Sequence, residues 1–205
     1  CQHCYQFDLY NYKKRGSYQY DLSNAEAKQV LARLSEAKFT HIHFLGGEPL
    51  LRPDLLDLIK EAKTHGMYIS INTNGLPLTA NKVEQLRDEG VDQIMVSLDG
   101  ATAATNDAIR GQGTFNTSVN NIKAALSLTN QSSMTIGITF TATSLNSREI
   151  PQLFKLVLDY GIEHIHIVPV HEAGNFLRNK EHLGNEELLL ISYLEEGLRT
   201  YGMQL

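Results

Sequence analysis

The architecture of this chain turns on His41-Ile-His-Phe-Leu-Gly-Gly-Glu-Pro-Leu50. Its first half, His41–Leu45, is a short strand-like run. A Gly-Gly pair then lets the backbone bend and approach a ligand where a Cβ would stand in the way. A glutamate and a helix-starting proline follow at once. Strand, polar turn and helix start are thus packed into ten residues. Similar strand-like runs recur at Tyr68–Asn72, Gln93–Leu98, Thr135–Ala142 and His164–Val170, spaced by about thirty residues.

Helical patterns fill the gaps. Ser23-Asn-Ala-Glu26 is a capping box, and Val30, Leu31 and Leu34 follow it at helical spacing. Pro53 suits a first helical position, with Leu55, Leu56, Ile59 and Ala62 on one face and Gly66 as the stop. Phe115, Val119, Ile122 and Leu126 make another stripe. Ile150, Leu153, Phe154, Val157 and Leu158 make the cleanest one, ended by Gly161. Asn185 is placed to cap a last helix running to about Thr200. This alternation is the βαβ rhythm of a parallel sheet, and it predicts one α/β domain over residues 1–205. The one long irregular stretch is Gln6–Leu22, rich in Tyr, Lys and Arg. It is either a pocket-shaping loop or a packing loop with a solvated basic tip.

Composition narrows the classes. The net charge of −5 argues against a nucleic-acid binder, which needs a basic footprint. No apolar run reaches the ~20 residues of a membrane span. Two cysteines in 205 residues are no disulfide scaffold, so a reducing, cytoplasmic setting is expected.

Polar clusters fall where the strands end: Gly46, Gly47 and Glu48 after one run, Thr73 and Asn74 after the next, Ser97 and Asp99 after the third. The C-terminal edge of a parallel sheet is where α/β folds bind ligands. Glu48 offers an acceptor to an ammonium group. Asp99 can accept from a sugar diol with Ser97 beside it, and Arg110 can clamp a carboxylate. Together they fit a ligand carrying an amine, a carboxylate and a ribose. Each turn alone also fits a plain turn or helix cap; their recurrence at one edge does not. His41, His43, His164 and His166 alternate within strands, which suits packing or solvent better than a metal.

The chain opens Cys1-Gln-His-Cys4-Tyr. Such a pair can be a redox thiol pair, half of a zinc site, or part of an iron–sulfur motif. A thioredoxin-like module lacks five helix-separated strands. A zinc site needs two further ligands, and His3 is too close in sequence to be a comfortable third. An aldolase-like barrel lyase needs a lysine in a strand for a Schiff base, and none of the five runs has one.

Taken together, Cys1-Gln-His-Cys4-Tyr, Gly46-Gly-Glu-Pro-Leu50, Thr73-Asn-Gly75 and Ser97-Leu-Asp-Gly100 resemble the radical SAM superfamily. The likeness is closest to its branch of peptide- and haem-modifying enzymes with SPASM-type extensions, and it runs from residue 1 to about His171. It implies a partial (β/α)6 TIM-like barrel. It also implies a [4Fe–4S] cluster held by a Cys-x3-Cys-x2-Cys motif, with S-adenosylmethionine on the open iron. The reduced cluster cleaves that cofactor to a 5′-deoxyadenosyl radical, which takes a hydrogen from the substrate. On this resemblance Cys1 and Cys4 are the motif's second and third cysteines. The first cysteine and the first barrel strand are expected upstream, so the segment alone is expected to be inactive.

The resemblance assigns Gly46, Gly47 and Glu48 to the methionine amine, Ser97 and Asp99 to the ribose, and Arg110 to the methionine carboxylate. His3 and the backbone of Pro169 and Val170 fall to the adenine. Thr73 and Asn74 stand behind them, with Asn146 as a further candidate beside the cofactor. A peptide or a tetrapyrrole or other cofactor precursor is the implied substrate, and a flavodoxin or ferredoxin the implied electron donor. No nucleic acid or membrane is expected as partner. The alternative is a metal- or thiol-binding α/β module without radical chemistry.

Overall fold

The computed structural model describes residues 1–7, 21–183 and 187–202. Most of the irregular Gln6–Leu22 stretch and the expected cap Asn185 lie outside them. Five strands form one sheet: β1 (His41–Phe44), β2 (Tyr68–Thr73), β3 (Gln93–Ser97), β4 (Thr135–Ala142) and β5 (His164–Pro169). They lie in chain order and every neighbouring pair is parallel.

The helices are α1 (Asn24–Glu36), α2 (Leu55–Thr64), α3 (Ala80–Asp88), α4 (Ala103–Arg110), α5 (Thr114–Thr129), α6 (Ile150–Tyr160), α7 (Lys180–Leu183) and α8 (Glu187–Tyr201). Sequential order with right-handed crossovers puts the connecting helices on one side of the sheet. The register agrees. Ile71, Ile94 and Ile136 are in register across β2, β3 and β4, Ile138 pairs with Ile165 of β5, and these side chains pack with α2, α5 and α6 in a single apolar core. Ile69, Ile94, Ile138 and Phe140 are fully buried. Each such side chain contributes about 1.5–3 kcal/mol relative to exposure.

The alternate strand positions face the other way and are mostly polar, with His41, His43, Tyr68, Ser70, Asn72, Ser97, Thr139 and His166 beside Met95 and Val168. A flat five-stranded sheet would hold β1 and β5 about 19 Å apart. Yet His166 of β5 is close enough to His43 of β1 to disfavour a proton there. The sheet is therefore curled, polar face inward, as a half-barrel with its helices outside.

Local signals explain the helix ends. Ser23 and Glu26 form the reciprocal capping box at α1. Gly161 terminates α6 in the left-handed conformation. Pro53 does not start α2, which begins at Leu55 with Asp54 as its N-cap. Arg52 and Asn24 hold the Asp54 carboxylate and push its pKa down to about 2, so it is spent on tying α1 to α2 rather than on the cap. Pro49 occupies the proline start instead, in a 3-10 turn over Pro49–Leu51. Leu158 and Val30, both expected on buried stripes, are 47% and 42% exposed because they flank rather than centre them.

Candidate active site at the C-terminal strand edge

The cysteine loop is placed by backbone contacts from two sides. The Gln2 amide donates to the Ile109 carbonyl at the end of α4 at 2.9 Å. From the segment after β5, the Asn175 amide donates to the Cys4 carbonyl at 2.9 Å, and its side chain donates to the Cys1 carbonyl at 3.1 Å. Asn179 donates to the Gln2 carbonyl at 3.1 Å. Gly174 lets that turn lie directly on the loop, since a Cβ there would stand 2.6 Å from the Cys4 carbonyl oxygen. Both cysteines are free thiols, Cys1 exposed and Cys4 half-buried. Arg110 Nη1 points at Cys1 Sγ from 3.8 Å.

Arg110 also joins the second feature, a buried ionic cluster around Asp99. Asp99 is fully buried. Its Oδ2 lies 2.5 Å from Arg110 Nε and 3.3 Å from His3 Nε2. Its Oδ1 accepts from the Thr141 amide at 2.8 Å, and its own amide donates to Asn106 Oδ1 at 2.9 Å. Burial pushes the His3 imidazole below its ordinary pKa. Asp99 opposes that shift, while Arg110 reinforces it. The expected ribose acceptor, carboxylate clamp and adenine neighbour are therefore one coupled unit: Asp99 Oδ1 is hydrogen-bonded to Thr141, while Oδ2 faces Arg110 and His3 as an ion pair without a hydrogen bond of its own.

Glu48 makes the third feature. Its Oε1 accepts from the Leu50 amide at 3.2 Å and the Thr73 hydroxyl at 2.7 Å, and its Oε2 accepts from the Asn74 amide at 2.7 Å. Thr73 in turn accepts from the Gly75 amide at 3.1 Å. Thr73 and Asn74 thus hold the Glu48 carboxylate in place. A carboxylate has about four lone-pair sites, so Glu48 keeps acceptor capacity for a further donor. Gly46 and Gly47 are exposed, with nothing within 4 Å of where a Cβ would sit. They border open space beside that carboxylate.

The remaining expected residues divide. Ser97, 6% exposed, stands on the inner face and accepts from Asn72 at 3.5 Å, next to Thr139, which donates to the same Asn72 at 3.0 Å. Asn146 is fully buried. Its amide nitrogen donates to the Asp99 and Thr141 carbonyls and its oxygen accepts from Thr143. It is not beside open space but behind Asp99, pinning the ends of β3 and β4. Val170 is buried against Phe176 with its amide given to the Ala142 carbonyl, whereas Pro169 is exposed at the strand end.

Asn106, Asn175 and Asn179 were not singled out in the sequence. For Asn106 the available signal was an asparagine one turn after the Thr102 cap; for the other two it was a Gly-Asn turn after the last strand. Among the described residues no group of three or more His, Cys, Asp or Glu could by itself hold a metal ion. No helix among them is long and apolar enough to cross a membrane.

Known proteins resemble this chain in sequence and in fold. Residues 1–150 match the Radical SAM superfamily. The chain is 29% identical over 181 residues to the pre-heme d1 synthase of Dinoroseobacter shibae, covering 88% of this chain and 42% of that protein. It is 31% identical over 164 residues to the PqqA peptide cyclase of Gluconobacter oxydans, covering 80% of this chain and 45% of that protein. It therefore spans less than half the length of the curated relatives it matches. The structure of SuiB from Streptococcus suis with its precursor peptide SuiA superposes on the whole chain with a TM-score of 0.77 at 15% identity, using 44% of SuiB. SuiB bound to S-adenosylmethionine gives the same TM-score over 98% of the chain and 45% of SuiB. The match over residues 1–150, joined to the parallel half-barrel and the cysteine loop at its strand edge, places this chain in the radical SAM superfamily.

Proposed function

We propose that this chain is the core of an enzyme that generates a carbon-centred radical from S-adenosylmethionine and uses it on a peptide or a tetrapyrrole or other cofactor precursor. The observation that carries this reading is the convergence of Cys1, Cys4, Arg110, His3 and Glu48 on one edge of the half-barrel. When bound, a reduced [4Fe–4S] cluster supplies the electron that splits the cofactor's sulfonium bond.

The residues present fit such a group. Cys1 and Cys4 offer two thiolates, and a cluster with one open iron takes three. The third is one that this chain's two cysteines do not include. His3 Nδ1 is buried and without a hydrogen-bond partner among the described residues, so it is available to a ligand. The open space at Gly46 and Gly47 admits a close backbone approach, with Glu48 to receive an ammonium group.

Arg110 balances the Asp99 charge and presents the rest of its guanidinium toward the cysteine loop, where it would orient a carboxylate. Ser97 would meet the ribose. Asp99 and Asn146 keep Arg110 and the ends of β3 and β4 in place. The concave face beneath this edge would receive the substrate. Relatives named for a peptide cyclase and a heme-type synthase support the two substrate classes. A flavodoxin or ferredoxin would deliver the electron, and the setting would be cytoplasmic.

Glu48→Gln tests the cofactor site in the intact protein. It halves the acceptor capacity and removes the charge, so S-adenosylmethionine affinity should fall by about 1.5–3 kcal/mol, roughly ten- to a hundredfold. Iron content should stay unchanged. Loss of iron with unchanged affinity would make Glu48 a purely structural tie between β1 and β2.

A further inference from the structure

The inner face of the sheet has an unusual charge pattern. None of the five strands contains Asp, Glu, Lys or Arg, although the chain carries 23 acidic and 18 basic residues. The titratable groups those strands do carry on that face are chiefly imidazoles. His41 Nε2 lies 2.7 Å and His43 Nδ1 2.5 Å from the same Ser70 hydroxyl. Ser70 is 1% exposed, while His41 and His43 are open to the concavity. His166 of β5 stands on the same face, near enough to disfavour a proton on His43.

A hydroxyl has a single proton. With both imidazoles neutral, Ser70 donates to one ring and accepts from the other. The chain His41–Ser70–His43 then presents one N–H donor and one lone pair on its outer nitrogens. One added proton turns the lone pair into a second donor. The protonated chain is matched by a ligand that only accepts and that carries negative charge, as a carboxylate does.

We propose that His41 and His43, bridged by Ser70, form with the facing His166 a carboxylate-binding site on the concave face, and that the substrate bears at least one carboxylate seated there. This inference rests on the reading of the concave face as the substrate chamber. Acidic peptide side chains and tetrapyrrole propionates share that chemistry. The free site carries no strand carboxylate of its own. Desolvation first, then His41 and His166, push His43 below its ordinary pKa, and no strand carboxylate opposes them. Facing His43 are His41 of its own strand, Ser70 of β2 and His166 of β5, with the Tyr68 ring of β2 packed edge-on against His41. A bound carboxylate would reverse that balance and raise the His43 pKa, so binding takes up a proton. Affinity should therefore fall as pH rises from the free to the bound pKa, by up to tenfold per pH unit.

The test is histidine-labelled NMR on the intact protein, titrated with glutarate, with a Glu-containing peptide and its Gln counterpart, and with a propionate-bearing porphyrin. The expected result is an upward shift of the His43 titration with carboxylate probes and none with the Gln peptide. Paired His43→Gln and His166→Gln substitutions should weaken binding at least tenfold, and Ser70→Ala should weaken it without unfolding the sheet. Whether the peptide or the porphyrin binds more tightly identifies the source of the carboxylate. If no carboxylate probe moves the His43 titration, or the paired variant binds equally well, the inference is overturned. Formation of 5′-deoxyadenosine by the same preparation is read separately. Cleavage without imidazole shifts overturns this inference alone, and shifts without cleavage overturn the radical reading alone.

Discussion

Asp99→Ala should destabilise the protein by about 3–5 kcal/mol in urea unfolding, because it breaks a buried ion pair from one side. Arg110 is only 11% exposed, so its charge would be left without the carboxylate that now faces it at 2.5 Å. The Thr141 amide would lose its acceptor as well. Asp99→Asn should cost less, since an amide oxygen can still accept from Thr141. Pairing Asp99→Ala with Arg110→Met should recover part of the loss, because the two residues act as a unit. A cost under about 1 kcal/mol for Asp99→Ala would mean that the cluster contributes little to the fold, and the carboxylate would be free for a ligand role.

Gly174→Ala should displace the cysteine loop. A Cβ at Gly174 would sit 2.5 Å from the Tyr5 carbonyl oxygen and 2.6 Å from that of Cys4, and both are backbone atoms with little room to yield. The φ of +60° adds about 1–2 kcal/mol for any residue with a side chain. The expected readouts are faster alkylation of Cys4 and at least a tenfold loss of iron uptake, with the far-ultraviolet spectrum of the sheet and helices retained. Gly161→Ala is the control. It carries the same backbone strain but has open space around it, so it should cost stability without touching iron uptake. Equal effects of the two substitutions would show that strain, rather than contact with the loop, explains Gly174.

The strands were legible because apolar runs of four to eight residues separated by capped helices leave little choice of fold. All five fall within a residue or so of their sequence-based limits. The helix ends that failed did so where a side chain was spent on tertiary contacts, as Asp54 is on Arg52 and Asn24. The edge was legible too, since Gly46–Glu48, Thr73–Asn74 and Ser97–Asp99 each follow a strand.

What sequence could not give was partnership. Nothing in the spacing of His3, Asp99 and Arg110 says that they meet, because folding of the loop onto the sheet brings them together. The same holds for Asn175 and Asn179, which reach the cysteine loop from the other end of the chain. The histidines of β1 and β5 read as packing or solvent residues. Only the curl of the sheet turns them toward one another.

The most direct test is anaerobic reconstitution of the intact protein with iron and sulfide, followed by S-adenosylmethionine and dithionite, measuring iron, sulfide and 5′-deoxyadenosine. The predicted result is at least the four irons of one [4Fe–4S] cluster, with cofactor cleavage lost in Cys1→Ala and Cys4→Ala. An intact protein that takes up no cluster, or that cleaves the cofactor equally well without these cysteines, would contradict the radical reading. Cys1 and Cys4 would then be a thiol pair or part of another metal site.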